Sequence, residues 1–168
     1  MEAEAREAAR RLGELLLAQN LTLAFAESCT GGLASSYVTD ISGSSQYLLG
    51  SAVTYTNEVK HRLLGVEQQV LDTYSAISPE CARQMATGAR GLFASDLGVG
   101  ITGNAGPGAS EGKPLGLVYI AVATADGVLC REYHFTEDRI TNKQKIALTA
   151  ISMVIDKLCE TKKDGGKY

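Results

Sequence analysis

The stretch Thr22-Leu23-Ala24-Phe25-Ala26-Glu27-Ser28-Cys29-Thr30-Gly31-Gly32-Leu33-Ala34-Ser35-Ser36 runs from a short apolar segment into a glycine pair and out into helix-forming residues. A short apolar run followed by a turn and then a helical segment predicts a strand that feeds a helix. The Ser28 hydroxyl is thereby held at a strand-to-helix turn. The first backbone N–H groups of the following helix lack intrahelical partners and stand at the positive end of its dipole. A hydroxyl and a set of donors suited to an anion therefore lie together.

Outward from this unit the pattern repeats. Residues 2 to 19 place Ala5, Ala8, Leu12, Leu15 and Leu16 at helical spacing among charges, which predicts a surface helix ended by Asn20. Leu21 to Ala26 reads as a short buried strand and Gly31 to Val38 as the helix it feeds. After Ser42-Gly43-Ser44-Ser45, a second strand is expected over Tyr47 to Thr56, and Asn57 can cap a helix over Glu58 to Leu64. Ser78-Pro79-Glu80 starts a longer helix to Phe93, because Ser caps, Pro suits the first turn and Glu favours the dipole. Leu97 to Thr102 is a third apolar run, opening into Gly103 to Pro114, too glycine-rich for a regular element. Leu115 to Thr124 and Val128 to Phe135 flank Ala125-Asp126-Gly127, a hairpin signal that makes these strands antiparallel. Ala147, Ala150, Ile151, Val154 and Leu158 mark a last helix from Asp138 onward.

Helices before, between and after the strands predict an α/β fold, a three-layer α/β/α sandwich around a mixed, mostly parallel sheet with one antiparallel hairpin. With 168 residues and 45% hydrophobic content, a single domain over residues 1–160 is expected, followed by a flexible tail over 161–168. A formal charge of −3, with no Lys/Arg block longer than Lys162-Lys163, gives no field for nucleic acid or acidic membranes. The acidic N-terminal segment is unlike a signal peptide, and no apolar run reaches the roughly 18 residues of a membrane span, so a soluble cytoplasmic protein is expected. Cys29, Cys81, Cys130 and Cys159 are spaced too widely for a metal motif or a small disulfide scaffold and read as reduced, mostly buried thiols.

A serine hydroxyl is a weak nucleophile unless a base reaches it. Glu27-Ser28-Cys29-Thr30-Gly31 sits where α/β-hydrolases place their nucleophile, though it lacks their Gly-x-Ser-x-Gly pattern. His134 falls on a hairpin strand where a plain surface position accounts for it, and His61 follows Lys60 in the helix after the second strand. Tyr55, Thr56, Asn57 and Lys60 gather where that strand ends, beside the end of the strand carrying Ser28, and ligand crevices of open α/β sheets lie at such ends. Lys60 is either an ordinary solvated lysine or, if burial lowers its pKa, a base, with Tyr55 able to relay the proton. The glycine loop could wrap a phosphate as a backbone nest or be glycine-rich for conformational reasons alone. It lacks the P-loop ending and the dinucleotide fingerprint. Arg139 could grip a phosphate with two prongs.

Ala26-Glu27-Ser28-Cys29-Thr30-Gly31-Gly32, Gly43-Ser44-Ser45, Val53-Thr54-Tyr55-Thr56-Asn57 with Lys60, Leu64-Gly65-Val66 and Gly100-Ile101-Thr102-Gly103-Asn104-Ala105-Gly106-Pro107-Gly108 together resemble the CinA C-terminal domain family, in order, from about residue 5 to 158. The resemblance implies a nicotinamide-nucleotide amidase, which hydrolyses the carboxamide of nicotinamide mononucleotide to nicotinate mononucleotide and ammonia in pyridine nucleotide recycling. It implies Ser28 as nucleophile, assisted by Tyr55 and Lys60. In the mechanism expected on this basis, Lys60 takes the Ser28 proton through Tyr55, and N–H groups after Ser28 and near Thr102-Gly103 hold the oxyanion. The substrate is expected on Thr30, Gly31, Gly32, Ser45, Thr102, Gly103, Asn104, Gly106 and Arg139, its phosphate falling to the glycine loop and Arg139. No metal and no cofactor are implied, and a homo-oligomer is expected. Many members carry an N-terminal domain of another activity, and this chain, beginning at its own helix, is expected to be the stand-alone form. It differs from the usual family pattern at Ser42, Ser75 and Asn104, and no second arginine follows Arg139.

Two rival readings remain from the residues. One is a catalytically silent nucleotide-binding or regulatory domain of the same fold. The other is an amidase or esterase that uses Cys29 as nucleophile, since thiols are intrinsically stronger than hydroxyls.

Overall fold

Thr22 to Ser36 folds as a strand, a tight turn and a helix in a computed structural model that describes residues 1–108 and 110–164, with side chains described through residue 160. The strand is β1 (Leu23–Glu27) and the helix α2 (Leu33–Thr39), preceded in the chain by α1 (Glu2–Gln19). A 3-10 turn over Ser44–Gln46 leads to β2 (Leu48–Val53), then α3 (Asn57–Leu64), α4 (Gln68–Tyr74) and α5 (Pro79–Phe93). β3 (Leu97–Gly103), the hairpin β4 (Leu117–Thr124) and β5 (Gly127–His134), and α6 (Arg139–Asp164) complete the fold. The tail expected over 161–168 falls on the last residues of α6 and on residues 165–168, which lie outside the described residues.

The five strands lie in the order β2-β1-β3-β4-β5. β1 pairs in parallel with β2 and β3, and β4 is antiparallel to both β3 and β5. Only β4 therefore runs against the common direction, as the mixed, mostly parallel sheet with one hairpin requires. α1, α2 and α6 pack together on one face, and α3, α4 and α5 on the other, giving three layers.

Side-chain size sorts the two faces. Successive strand residues point to opposite sides of a sheet. Leu23, Phe25, Val99, Ile101, Val118, Ile120 and Val122 take one side, where they bury against Leu12 and Leu16 of α1 and Ile146, Ile151 and Val154 of α6. Each such large side chain contributes roughly 1.5–3 kcal/mol on full burial. The intervening positions are small: Ala26, Gly98, Gly100, Ala121 and Ala123 face α5, whose Ala82, Met85, Ala86 and Ala89 meet them. The approach is close enough that a Cβ on Gly98 or Gly100 would collide with the Ala86 or Ala82 carbonyl oxygen. α5 is thus drawn onto the sheet by the absence of side chains as much as by their presence.

Helix ends follow local chemistry, with two departures from the expected caps and elements. α5 starts as predicted, Ser78 Oγ accepting the Cys81 N–H at 3.1 Å with Pro79 in the first turn. Asn20 ends α1 in the left-handed conformation. At α3 the cap is Thr56, not Asn57: the Thr56 hydroxyl accepts the Val59 N–H at 3.4 Å, so β2 stops at Val53, short of the expected Thr56. α4 was not expected, because it is seven residues long and follows Glu67, whose side chain makes no cap to mark it.

The chain passes from β1 through α2 to β2 on one side of β1, then through α3 to α5 and across to β3 on its other side. That reversal leaves the carboxyl ends of β1 and β3 open between diverging connections, where open α/β sheets hold their ligands. Ser28 follows one of these strands and Gly103 ends the other.

Candidate active site

Ser28 is fixed by its backbone before its side chain is considered. Its N–H donates to the Ile101 carbonyl of β3 at 3.0 Å, and the turn beyond it uses Gly31 and Gly32 at φ 64° and 97°, a region open to glycine at little cost. α2 then begins, and its unpaired N–H groups converge as the sequence predicts, but the anion site they make is already filled. The side chain of Glu27, 0% exposed, accepts from Gly32 N and Ala34 N at 3.1 Å each on one oxygen and from Ser35 N at 2.9 Å on the other. It also accepts the hydroxyls of Thr30 at 2.6 Å, Ser35 at 2.8 Å and Ser51 at 3.4 Å. Thr30, Gly31 and Gly32, expected to touch substrate, instead form the turn, with Thr30 and Gly32 turned to Glu27, and none of the three lines the cleft described below.

Lys60 comes from the first turn of α3 and is 2% exposed. Its amine reaches three oxygens: Ser28 Oγ at 3.1 Å, the Thr54 carbonyl at 2.9 Å and the Tyr55 carbonyl at 3.5 Å. Burial pushes its pKa below that of a free lysine, partly opposed by the negative ends of Cys81, Glu111 and Cys29. The two carbonyls take two of the amine's tetrahedral directions, so in the neutral amine the lone pair falls on the third, toward Ser28. This contact is direct. The Tyr55 side chain, 60% exposed, turns away, and its hydroxyl accepts from Arg139 at 2.9 Å. The relay expected through the Tyr55 phenol is therefore not the path the geometry offers, because the amine and the Ser28 hydroxyl already touch.

These groups open into a cleft of about 250 Å³ lined also by Asn57, Ala76, Ile77, Thr102, Gly103, Asn104, Gly106, Glu111 and Arg139. It brings together Ser28, Tyr55, Lys60, Thr102, Gly103, Asn104, Gly106 and Arg139, all named from the sequence. Thr102 spends its hydroxyl on the Ala76 carbonyl at 2.7 Å and so ties the cleft wall to its floor. Asn104 folds back to accept the Gly106 N–H at 3.1 Å, while its own amide nitrogen is buried without a partner. Arg139 holds the Gly106 carbonyl as well as Tyr55, tying α6 to the glycine loop. Ser45 lies elsewhere, in a separate depression with Ser35, Ser36, Thr39 and Ser51, so its expected substrate contact is not part of this cleft.

Cys29 also lines the cleft, but burial pushes its thiol up to about 12, so it stays protonated near neutral pH. Neither histidine lines the cleft: His61 meets the Val66 carbonyl at 2.7 Å and His134 meets Glu132 at 2.8 Å.

Sequence reasoning missed Glu27, Glu111 and Asn142. Glu27 had one signal, a carboxyl closing an apolar strand directly before a helix start, where such a group can cap. Asn142, 0% exposed, donates to the Ala105 carbonyl at 3.2 Å and the Glu137 carbonyl at 2.8 Å, and nothing in its helical spacing announced this. Glu111 sits in the glycine loop and reaches segments 34 to 54 residues away.

A buried amine on a serine hydroxyl, at the carboxyl edge of an α/β/α sandwich, defines an α/β protein with a serine–lysine site. Residues 5–158 match the CinA C-terminal domain, and the chain belongs to that family. It is 54% identical over 122 residues to a CinA-like protein from Syntrophus aciditrophicus, covering 72% of this chain and 29% of that protein. It is 52% identical over 132 residues to a CinA-like protein from Geobacter metallireducens, covering 78% of this chain and 32% of that one. The chain thus spans about a third of the length of the curated relatives it matches. Among solved structures, the competence/damage inducible protein CihA from Agrobacterium tumefaciens superimposes with a TM-score of 0.87 at 38% identity, covering 91% of this chain and 94% of that one. A CinA superfamily protein from Klebsiella pneumoniae superimposes with a TM-score of 0.90 at 29% identity, covering 93% and 98%. No helix among the described residues is long and apolar enough to cross a membrane.

Proposed function

We propose that the chain is a nicotinamide-nucleotide amidase, a single catalytic domain over residues 1–160 that converts nicotinamide mononucleotide to nicotinate mononucleotide and ammonia with Ser28 as nucleophile. The observation that carries this reading is the 3.1 Å contact between the buried Lys60 amine and the Ser28 hydroxyl. A lysine is a base only when neutral, and burial is the force that makes it so. Membership of the CinA family, and the resemblance of the motifs around these residues to those of its amidases, support the same choice.

The chemistry runs in two halves. Neutral Lys60 accepts the Ser28 proton as Oγ attacks the carboxamide carbon, and the lysine then protonates the departing nitrogen, which leaves as ammonia with an ester on Ser28. Water attacks the ester, its proton going to Lys60, and the acid departs as Ser28 is reprotonated. The pyridinium ring draws electron density from the carboxamide and makes its carbon easier to attack. With the later amides of α2 bound to Glu27, the Cys29 N–H beside Ser28 and the N–H groups around Gly103 are the donors for the oxyanion. Asn104, Gly106 and Arg139 line the remainder of the cleft and contact the nucleotide.

The test is ammonia release from nicotinamide mononucleotide by the wild type and by Ser28→Ala, Lys60→Ala and Cys29→Ala. Activity lost in the first two and kept in the third supports the reading. A wild type that binds the nucleotide and releases nothing makes the chain a binding domain, and loss confined to Cys29→Ala makes the thiol the nucleophile.

A further inference from the structure

The glycine loop carries a turn that reaches into the cleft. Lys113 N donates to the Ser110 carbonyl at 2.9 Å, and the two residues between, Glu111 and Gly112, have φ 54° and 69°. Positive φ at both central positions is a type I′ turn, and a glutamate in its first position carries a strain that glycine would not. The carboxyl at this tip crosses the cleft. One oxygen accepts the N–H of Ala76 at 2.9 Å and of Ile77 at 3.3 Å, and the other accepts from Asn57 Nδ2 at 3.4 Å. Ala76 and Ile77 lie before the Ser78 cap, outside α5, whose Cys81 N–H is held by Ser78. Both residues are buried, so their N–H groups need an acceptor, and among the described residues Glu111 is the acceptor they meet. Ser75 holds them at φ 70°, ψ 171°, a conformation rarely adopted outside glycine, so backbone strain aims both amides into the cleft.

We propose that the Ala76 and Ile77 amides with the Asn57 side chain form the subsite for a phosphate monoester of the ligand, and that Glu111 holds this subsite until the phosphate displaces it. The inference rests on the cleft being a nucleotide site and deepens the reading above by moving the phosphate to the wall formed by Asn57, Ala76 and Ile77. A carboxyl that leaves these amides without a replacement strands two buried donors, so it leaves only for another anion. A phosphate brings three acceptor oxygens to the same donors, and Arg139 lines the same cleft with positive charge. Glu111 is in this sense an internal competitor: it keeps the empty cleft satisfied and sets a threshold that a weak anion does not cross.

Removal of the competitor should tighten phosphate binding. Calorimetric titration of the full chain with inorganic phosphate is expected to show Glu111→Gln and Glu111→Ala binding about five- to tenfold more tightly than wild type, the gain expected when a like charge leaves an anion site. The KM for nicotinamide mononucleotide should fall by a similar factor while that for nicotinamide riboside, which lacks the phosphate, stays put. Phosphate affinity unchanged or weakened in both variants overturns the proposal and makes Glu111 a structural clasp, as does an equal shift of KM for both substrates. If the wild type releases no ammonia, the amidase reading fails while the phosphate titration still decides the subsite.

Discussion

The Lys60 amine and the Ser28 hydroxyl are in direct contact at 3.1 Å, with the two carbonyls at Thr54 and Tyr55 fixing the amine's other directions. In the proposed mechanism the contact works only in the deprotonated amine, and this separates a base from a mere positive charge. Lys60→Arg keeps the charge but cannot release its proton near neutral pH. It should lose at least about 10²-fold in kcat, the scale of a lost general base, while a purely electrostatic lysine would survive the exchange. Burial lowers the Lys60 pKa, so kcat/KM should rise with pH through a limb lying below the free lysine value of about 10.4. Stability carries the same sign. Between the folded and unfolded pKa values the unfolded chain binds the extra proton, so folding strengthens as pH rises across that window, and Lys60→Met should flatten this slope in denaturation measured against pH.

Tyr55 gives its hydroxyl to Arg139 rather than to the Lys60–Ser28 pair. Tyr55→Phe therefore frees the guanidinium without touching the Lys60–Ser28 contact. Its KM is expected to rise by about three- to tenfold, the worth of one charge-assisted hydrogen bond, with kcat within a few-fold of wild type. A fall in kcat of about 10²-fold or more would restore the tyrosine as a relay.

Much of this arrangement could be read from the chain because its signals are local. Ser78-Pro79 marks the start of α5, Asn20 the end of α1, and the apolar runs ending at Ser28 and Thr102 place both strand ends at one edge. The rest depends on distance. Thr30, Gly31 and Gly32 look like free anion donors until the Glu27 carboxyl reaches forward to the turn and the first amides of α2 and fills the site, an outcome set by tertiary burial and by Ser51 from β2. Glu111 meets Ala76 across 35 residues of chain, and Ser45 belongs to the Gly43-Ser44-Ser45 motif while facing a different depression. α4 has neither cap nor length to announce it and is held by packing Val70 and Leu71 into the core beside α5.

Cys29 follows Ser28 and lines the same cleft, yet burial holds its pKa up at about 12. Four units or more above neutral, the thiolate fraction at pH 8 is on the order of 10⁻⁴, too small for useful nucleophilicity. Cys29→Ala should keep ammonia release within about threefold of wild type, and iodoacetamide at pH 8 should label Cys29 far more slowly than it labels free cysteine. Fast labelling with parallel loss of activity would reopen the thiol reading.

The seam between α5 and β3 makes opposite predictions for two glycines. At Gly98 an added Cβ would strike the Ala86 carbonyl, a backbone atom that moves only if the helix moves, and Gly98→Ala should cost about 3 kcal/mol. Gly91 lies in α5 itself, with nothing within 4 Å of the place an added methyl would take, so Gly91→Ala should stabilise by about 0.5–1 kcal/mol through helix propensity. Urea denaturation of the two variants checks both signs. Equal and small effects would mean that α5 does not sit on the sheet as closely as described.

Glu27 and Ser28 are adjacent in sequence and opposite in task, one locking the turn while the other faces the cleft. Glu27→Gln preserves shape but replaces one acceptor oxygen with an NH₂ that would face N–H donors of α2, stranding at least one buried pair at a cost of about 1–3 kcal/mol. A melting temperature lower by about 4–10 °C is expected for a chain of this size. Because the turn also sets the Ser28 hydroxyl against Lys60, kcat should fall by about tenfold or more while KM changes little, since Glu27 does not line the cleft. Glu27→Asp retains both oxygens on a shorter arm and should recover part of the stability and part of kcat together. Loss of stability in Glu27→Gln with kcat unchanged at a temperature where the variant is fully folded would show that the turn does not position the hydroxyl.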